Sequence, residues 1–214
     1  MNDKGQIQFL THIPAVPPRA MILARLGYRK HATVFDLDQR QKLDKGIREG
    51  LLLCETRGAF GRFKVVERNE TEVCLAPDVT FTSRSLARLL SYSDEVILMA
   101  ATVGPAIVER IAQEVTHGDA ALGVILDAVA SETADAGLDW LMDFINKMLR
   151  KEGKKLTEQR FSPGYGDLPL ANQRLIYDLL KLERLGLKLT EKCMLIPEKS
   201  VLAIAGVEGV EIYE

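Results

Sequence analysis

Arg160-Phe161-Ser162-Pro163-Gly164-Tyr165-Gly166-Asp167 is the stretch around which the rest of the chain organises. It follows a long helical pattern and precedes another helix that opens at Leu168-Pro169. A guanidinium, a hydroxyl, two glycines and an aromatic ring crowd into a segment that suits neither regular helix nor regular strand. Glycine lets main chain approach a ligand closely, because no Cβ stands in the way. An arginine beside it offers a planar fork suited to a carboxylate or phosphate. Two readings follow from these residues alone. The stretch is a loop shaped to hold a small charged molecule, or it is a Pro-Gly turn joining two helices with Arg160 on the surface.

The pattern before the loop, from Asp119 to about Arg150, is the longest helix in the chain. Its first half is rich in small residues, among them Ala120, Ala121, Gly123, Ala128, Ala130, Ala134, Ala136 and Gly137. Small side chains let neighbours approach closely, so this is expected to be the central, buried helix. Asp127, Glu132 and Asp135 lie in that half, and a carboxylate near a packed face needs a donor or a cation. They pair with the chain's own arginines or sit on a wet edge, or one of them faces a pocket and meets a cationic ligand. Lys147, Arg150, Lys151, Lys154 and Lys155 close the pattern, where the helix dipole favours cations. Docking of an acidic redox partner is the competing reading of that cluster. After the loop, Leu170 to Leu185 reads as one amphipathic helix stopped by Gly186. Lys192 to Pro197 and Val201 to Ala205 read as strands closing the sheet.

The N-terminal half is more broken. Ile7 to Leu10 reads as a short strand, followed by a proline-rich connector and a helix from Pro18 to Leu26 with Gly27 as its stop. Asp36 or Asp38 caps a helix bearing Leu43, Ile47 and Leu51, with Gly46 and Gly50 inside it. Arg62 to Arg68 and Thr71 to Ala76 form a hairpin turning at Asn69-Glu70. Ser83 or Ser85 starts a short helix, Glu95 to Thr102 is a strongly apolar strand expected at the centre of a sheet, and Gly104-Pro105 opens another helix. The expected fold is α+β, with a mainly antiparallel sheet of about five strands and a long central helix. Strict βαβ alternation and a GxGxxG after a strand are both missing, which disfavours a Rossmann-type methyltransferase.

With 214 residues, the chain fits a single domain, residues 1–30 supplying a connector and a short helix. A formal net charge of −2 argues against a nucleic-acid partner. No basic segment leads into an apolar stretch at Met1 to Gly5, so no signal peptide is expected, and apolar runs such as Val96 to Ala101 are too short to span a membrane. Cys54, Cys74 and Cys193 are widely spaced among apolar neighbours, which suggests buried thiols in a reducing cytoplasm. His12, His31 and His117 are scattered as well, and no metal-ligand set is readable.

Arg-x-Ser-Pro-Gly-Tyr, followed by Pro169 and an amphipathic helix, resembles the activation domain of cobalamin-dependent methionine synthase. Gly186-Leu187-Lys188-Leu189-Thr190-Glu191, then Met194 to Pro197 and Ser200-Val201, resemble the closing segment of that domain. The resemblance runs from about Ala130 to Ala205 and is faint before it. In its Ser-Pro-Gly-Tyr-Gly-Asp form the loop looks most like stand-alone proteins related to the domain.

The resemblance implies binding of S-adenosylmethionine. It assigns Arg160 to the methionine carboxylate, the main chain around Ser162 and Gly164 to the adenine edge, and Tyr165 to packing on the ligand. A core aromatic is the competing role for Tyr165. Asp135 matches a family acid and is the choice for the ammonium, with Glu132 in reserve. It further implies a role in methionine biosynthesis as a subunit for reductive activation, accessory to a methyltransferase. Such a subunit acts in trans on a corrinoid-binding methionine synthase partner that carries the cobalamin, with a flavodoxin-like electron donor. An architectural or S-adenosylmethionine-sensing subunit of a split methionine synthase is the alternative. Two departures stand out. Lys154 occupies the place of a second family acid, with Glu158 nearby, and Tyr213 alone stands where the family has aromatic residues after its last strand.

Overall fold

The computed structural model describes residues 7–29 and 36–210; His31 and Tyr213 lie outside the described residues. Its frame is a seven-stranded antiparallel sheet. The strands are β1 (Gln8–Leu10), β2 (Arg57–Arg68), β3 (Glu72–Leu75), β4 (Val79–Thr82), β5 (Glu95–Thr102), β6 (Lys154–Leu156) and, last in the chain, β9 (Ser200–Gly209). They run in the order β4-β3-β2-β5-β9-β6, with β1 also paired to β2. β7 (Lys188–Leu189) and β8 (Leu195–Ile196) form a separate hairpin.

β5 is central, as its apolar run implied. Flanked by β2 and β9, it alternates its side chains between two cores. Val96, Leu98 and Ala100 face one core, and Ile97, Met99 and Ala101 face the other. A strand covered on both faces has no solvent side, hence the unbroken apolar sequence. The first core is closed by α3 (Arg84–Leu89) and α6 (Gln173–Leu180), and the second by α5 (Ala120–Leu149). The described N-terminal helices are α1 (Arg19–Arg25), α2 (Leu37–Leu53) and α4 (Pro105–His117). Asp36 caps α2 through a reciprocal box with Gln39, Ser83 caps α3, and Asp119 caps α5.

α5 has 30 residues and does lie at the centre. Leu138, Leu141, Ile145 and Leu149 pack it on the sheet, while α2 and α4 cover its first half. At Gly50 of α2, an added Cβ would stand 2.9 Å from Cγ1 of Val129 on α5. That glycine therefore sets the spacing of the two helices, rather than weakening α2 without return.

Four expectations about the secondary structure need correction. The sheet has more strands than about five, because β4 and β6 are four and three residues long and too short for a period-2 signal. β2 begins at Arg57, five residues before the expected start at Arg62, since Gly58 and Gly61 mask a strand that is set by its pairing with β5. Lys192 to Pro197 does not join the main sheet; Leu195 and Ile196 pair with β7. The helix after the loop is not continuous. It consists of 3₁₀ turns at Leu170–Asn172 and Leu182–Leu185 around α6, broken at Lys181, whose φ is 52°. Leu180 and Leu182 are both fully buried in the first core, and in an unbroken helix they would point to nearly opposite sides. The break lets both point inward.

The three cysteines are free but half-buried rather than buried, and burial pushes the Cys54 thiol up to about 11. Among the described residues, no helix is long and apolar enough to cross a membrane.

The loop from Thr157 to Pro169 is tied to the frame at three points. Thr157 Oγ1 accepts from the Gly206 amide (3.0 Å) and donates to the Gln159 carbonyl (2.8 Å). Phe161 and Ile204 exchange amide-to-carbonyl bonds, each of 2.8 Å. Asp167 accepts from the Ser83 hydroxyl (2.6 Å) and the Arg84 amide (2.7 Å), and more weakly from the Ser85 amide (3.3 Å). The Ser83 hydroxyl, followed by the Ser85 and Arg84 donors, lowers the Asp167 carboxyl from 3.8 to about 2.

Replacing Gly50 with Leu is expected to cost about 1–3 kcal/mol in urea unfolding, whereas Leu52→Ala, at a solvent-facing position, stays within about 0.5 kcal/mol. Because Asp167 titrates lower in the folded state, its contribution to stability is present above about pH 4 and lost as pH falls through about 2. Thermal melts of Asp167→Asn between pH 4 and 2 are therefore expected to show a flatter acid limb than the wild-type protein.

Candidate functional site

A cleft of about 440 Å³ opens between α5, the Arg160–Tyr165 segment, the start of α6 and the start of β9. Its volume is in the range of small-molecule sites. Asp135, Arg160, Ser162 and Tyr165 line it together, although up to thirty residues separate them in sequence. Arg160 precedes the Phe161–Ile204 bridge, so its stem is anchored to β9. Asp135 is carried in from α5 by the same helix whose Leu138 packs on the sheet.

The loop satisfies most of its own main chain. The Gly164 amide donates to the Leu168 carbonyl (2.8 Å), the Tyr165 amide to the Ser162 carbonyl (3.2 Å), and the Leu168 amide to the Tyr165 carbonyl (3.1 Å). Gly164 has φ of 93°, a region that side chains disfavour, so it is required for the bend. It does not line the cleft, and its N–H is already engaged. Tyr165 is 71% exposed, which makes it a rim residue and rules out a core role. Ser162 is half-buried in the wall.

The carboxylates of α5 divide clearly. Asp127 pairs with Lys199 at 2.7 Å. Glu132 is buried, bonded to the Arg25 guanidinium, and lies outside the cleft lining. Asp135 has only a long 3.7 Å approach to Arg25 and faces the cleft. Pairing with internal cations thus accounts for Asp127 and Glu132, and leaves Asp135 as the acid turned toward the cleft. Burial lifts the Asp135 carboxyl above the ordinary aspartate value, with Arg160 pulling the other way and Glu132 adding repulsion.

Two features of the site were not read from sequence, one beside the cleft and one in its lining. Asp139, one turn beyond Asp135, holds Nη1 of Arg160, and Met142 Sδ lies 3.7 Å from the same nitrogen. The signal for it was the four-residue spacing from Asp135. Gln173, the first residue of α6, lines the cleft and keeps its Oε1 buried without a partner. No sequence signal separates it from an ordinary helix start. Lys154, at the place of a family acid, is structural here: it bonds Glu95 at 2.6 Å, which also receives Arg62 at 2.5 Å. Glu158 is exposed and lines a neighbouring groove that shares Arg160 and Asp139.

No family model matches the chain, and no curated protein matches it in sequence. Among solved structures, it is similar to a crystal structure of the MetH reactivation domain bound to AdoHcy. The TM-score is 0.68 at 16% sequence identity, covering 98% of this chain and 80% of that one. An antiparallel sheet with a long helix is the fold of the MetH reactivation domain, and this chain has that fold.

Proposed function

We propose that the chain binds S-adenosylmethionine in the cleft between α5 and the Arg160–Tyr165 segment. The observation that carries this reading is the meeting of one acid and one guanidinium across a cleft of small-molecule size. An amino-acid ligand needs that pair of charges. The shared fold with a domain bound to AdoHcy supports it. Arg160 takes the ligand carboxylate. Asp139 and Met142 hold Nη1 at rest, and the ligand carboxylate displaces Asp139 to make the forked contact. Asp135 takes the ammonium, which offsets the burial that lifts its pKa. Ser162 contributes to the nucleoside wall, and Tyr165 packs over the ligand from the rim. Gly164 serves by shaping the bend, and Glu132 by fixing Arg25, rather than by contact.

In this reading the chain is an activation subunit for a corrinoid-bearing methionine synthase partner, with a flavodoxin-like protein as electron donor. The corrinoid and the sulfonium supply the bond-making chemistry. The chain binds and orients the methyl donor at the rim formed by Tyr165, and limits the water around it. A sensing subunit of a split methionine synthase is the second reading, and the Arg160–Asp139 pair favours it. A ligand that competes with an internal ion pair binds less tightly and responds to concentration over a higher range.

Calorimetry with S-adenosylmethionine tests binding directly, and silence at millimolar ligand would remove both readings. Arg160→Ala is expected to weaken the ligand about tenfold to a hundredfold, since a charge-assisted pair is worth about 1.5–3 kcal/mol. Affinity is expected to rise with pH as Asp135 loses its proton, beginning above the usual aspartate range, and this dependence should vanish in Asp135→Asn. Recovery of the methylated corrinoid partner on adding the chain separates activation from sensing.

A further inference from the structure

A second charged concavity, of about 600 Å³, lies apart from the cleft, between the β2–β3 turn and α3. Arg68, Arg84 and Arg88 all line it, along with Ser85 and Ser91. Five arginines elsewhere pair with carboxylates, Arg19 with Asp44, Arg25 with Glu132, Arg62 with Glu95, Arg110 with Glu49 and Arg160 with Asp139, while others among the described residues, such as Arg40, Arg48 and Arg150, stand singly. Among the described residues, none of the three arginines in this groove has such a pair, in a chain whose formal net charge is −2. Glu70 is the one acid in the lining and lies in no ion pair with them.

The arrangement is also held in place. Arg68 Nη1 donates to the Leu90 carbonyl (2.5 Å) and to the Ser93 carbonyl (2.9 Å). Those two bonds use both hydrogens of Nη1 and stop the side chain from swinging into solvent, leaving the Nε–Nη2 edge for an incoming acceptor. Arg84 and Arg88 are one turn apart on the same face of α3, a spacing at which like charges repel. An anion between them removes that repulsion, and among the described residues no carboxylate pairs with either.

We infer that this groove binds a small molecule carrying two or more phosphate groups, with Arg68 as the fixed fork and Arg84 and Arg88 as the closing cations. Guanidinium forks match phosphate oxygens in geometry as well as charge, and the Ser85 and Ser91 hydroxyls add neutral donors. The groove has no aromatic side chain in its lining, so recognition rests on the phosphates rather than on stacking against a base.

Inorganic pyrophosphate is the probe, titrated by calorimetry at constant ionic strength, with inorganic phosphate and sulfate as comparators. The expected result is saturable binding of pyrophosphate, tighter than of either comparator. The double variant Arg84→Gln/Arg88→Gln should weaken it by about tenfold or more, and Glu70→Gln should tighten it severalfold. Lys151→Gln, which removes an exposed cation outside this groove, should leave it unchanged. No saturable binding at millimolar pyrophosphate would overturn the inference. So would wild-type affinity in the double variant, or an equal loss in Lys151→Gln, which would mean that only net charge is being sensed.

Discussion

The close seating of α5 on β5 is the contact on which the rest depends. At Gly137 an added Cβ would stand 3.0 Å from the Cβ of Ala101, so helix and strand meet with almost no side chain between them. Ala130 and Ala134 continue that narrow face toward Val103 and Ile107, while Leu138, Leu141 and Ile145 extend it along the sheet. Side chains four residues apart stack on one side of a helix. Seating the small face on the sheet therefore turns the neighbouring row, Asp127, Ser131, Asp135 and Asp139, toward the loop and the start of β9. One helix face builds the core and the next builds the wall of the cleft.

The allocation of that acidic row decides what the cleft can do. Asp127 is taken by Lys199, which also donates to Ser131 at 2.8 Å, and Asp139 is taken by Arg160. Asp139 is 68% exposed, and ion pairs in such surroundings are worth only about 0.2–1 kcal/mol. Arg160 is thus kept in place at rest by an interaction weak enough to be exchanged for a better one. Asp135 differs, because it is partly desolvated and has a long, weak partner. The cleft thus has one loosely held cation and one under-paired anion, the two charges that the proposed ligand complements.

Asp167 links this cleft to the other side of the molecule. Its carboxylate gathers the Ser83 hydroxyl and the Arg84 and Ser85 amides, which ties the loop to the start of α3. α3 in turn supplies two of the three arginines around the second concavity. The two charged depressions lie on different elements yet share one support.

Much of this was legible in the residues. The apolar run of β5 declared a strand with no wet face, and the small residues of α5 declared a helix approached on several sides. Asp36, Ser83 and Asp119 marked helix starts because a side-chain oxygen before a helical pattern satisfies free amides. The loop motif pointed to Arg160, Ser162, Gly164 and Tyr165, and the family resemblance to Asp135 with Glu132 in reserve; all but Gly164 and Glu132 line the cleft. These signals are local or periodic, so they survive in one dimension. The break at Lys181, the full length of β2 and the partners of the acids do not survive there. Leu180 and Leu182 must both reach a core built from distant strands, Gly58 and Gly61 become strand only through pairing with β5, and whether Glu132 or Asp135 meets Arg25 more closely depends on where α1 lands on α5. Sequence by itself determined which residue types were offered to the site. Only the tertiary structure decided which of them stayed under-paired, because pairing is a matter of distances between elements far apart in the chain.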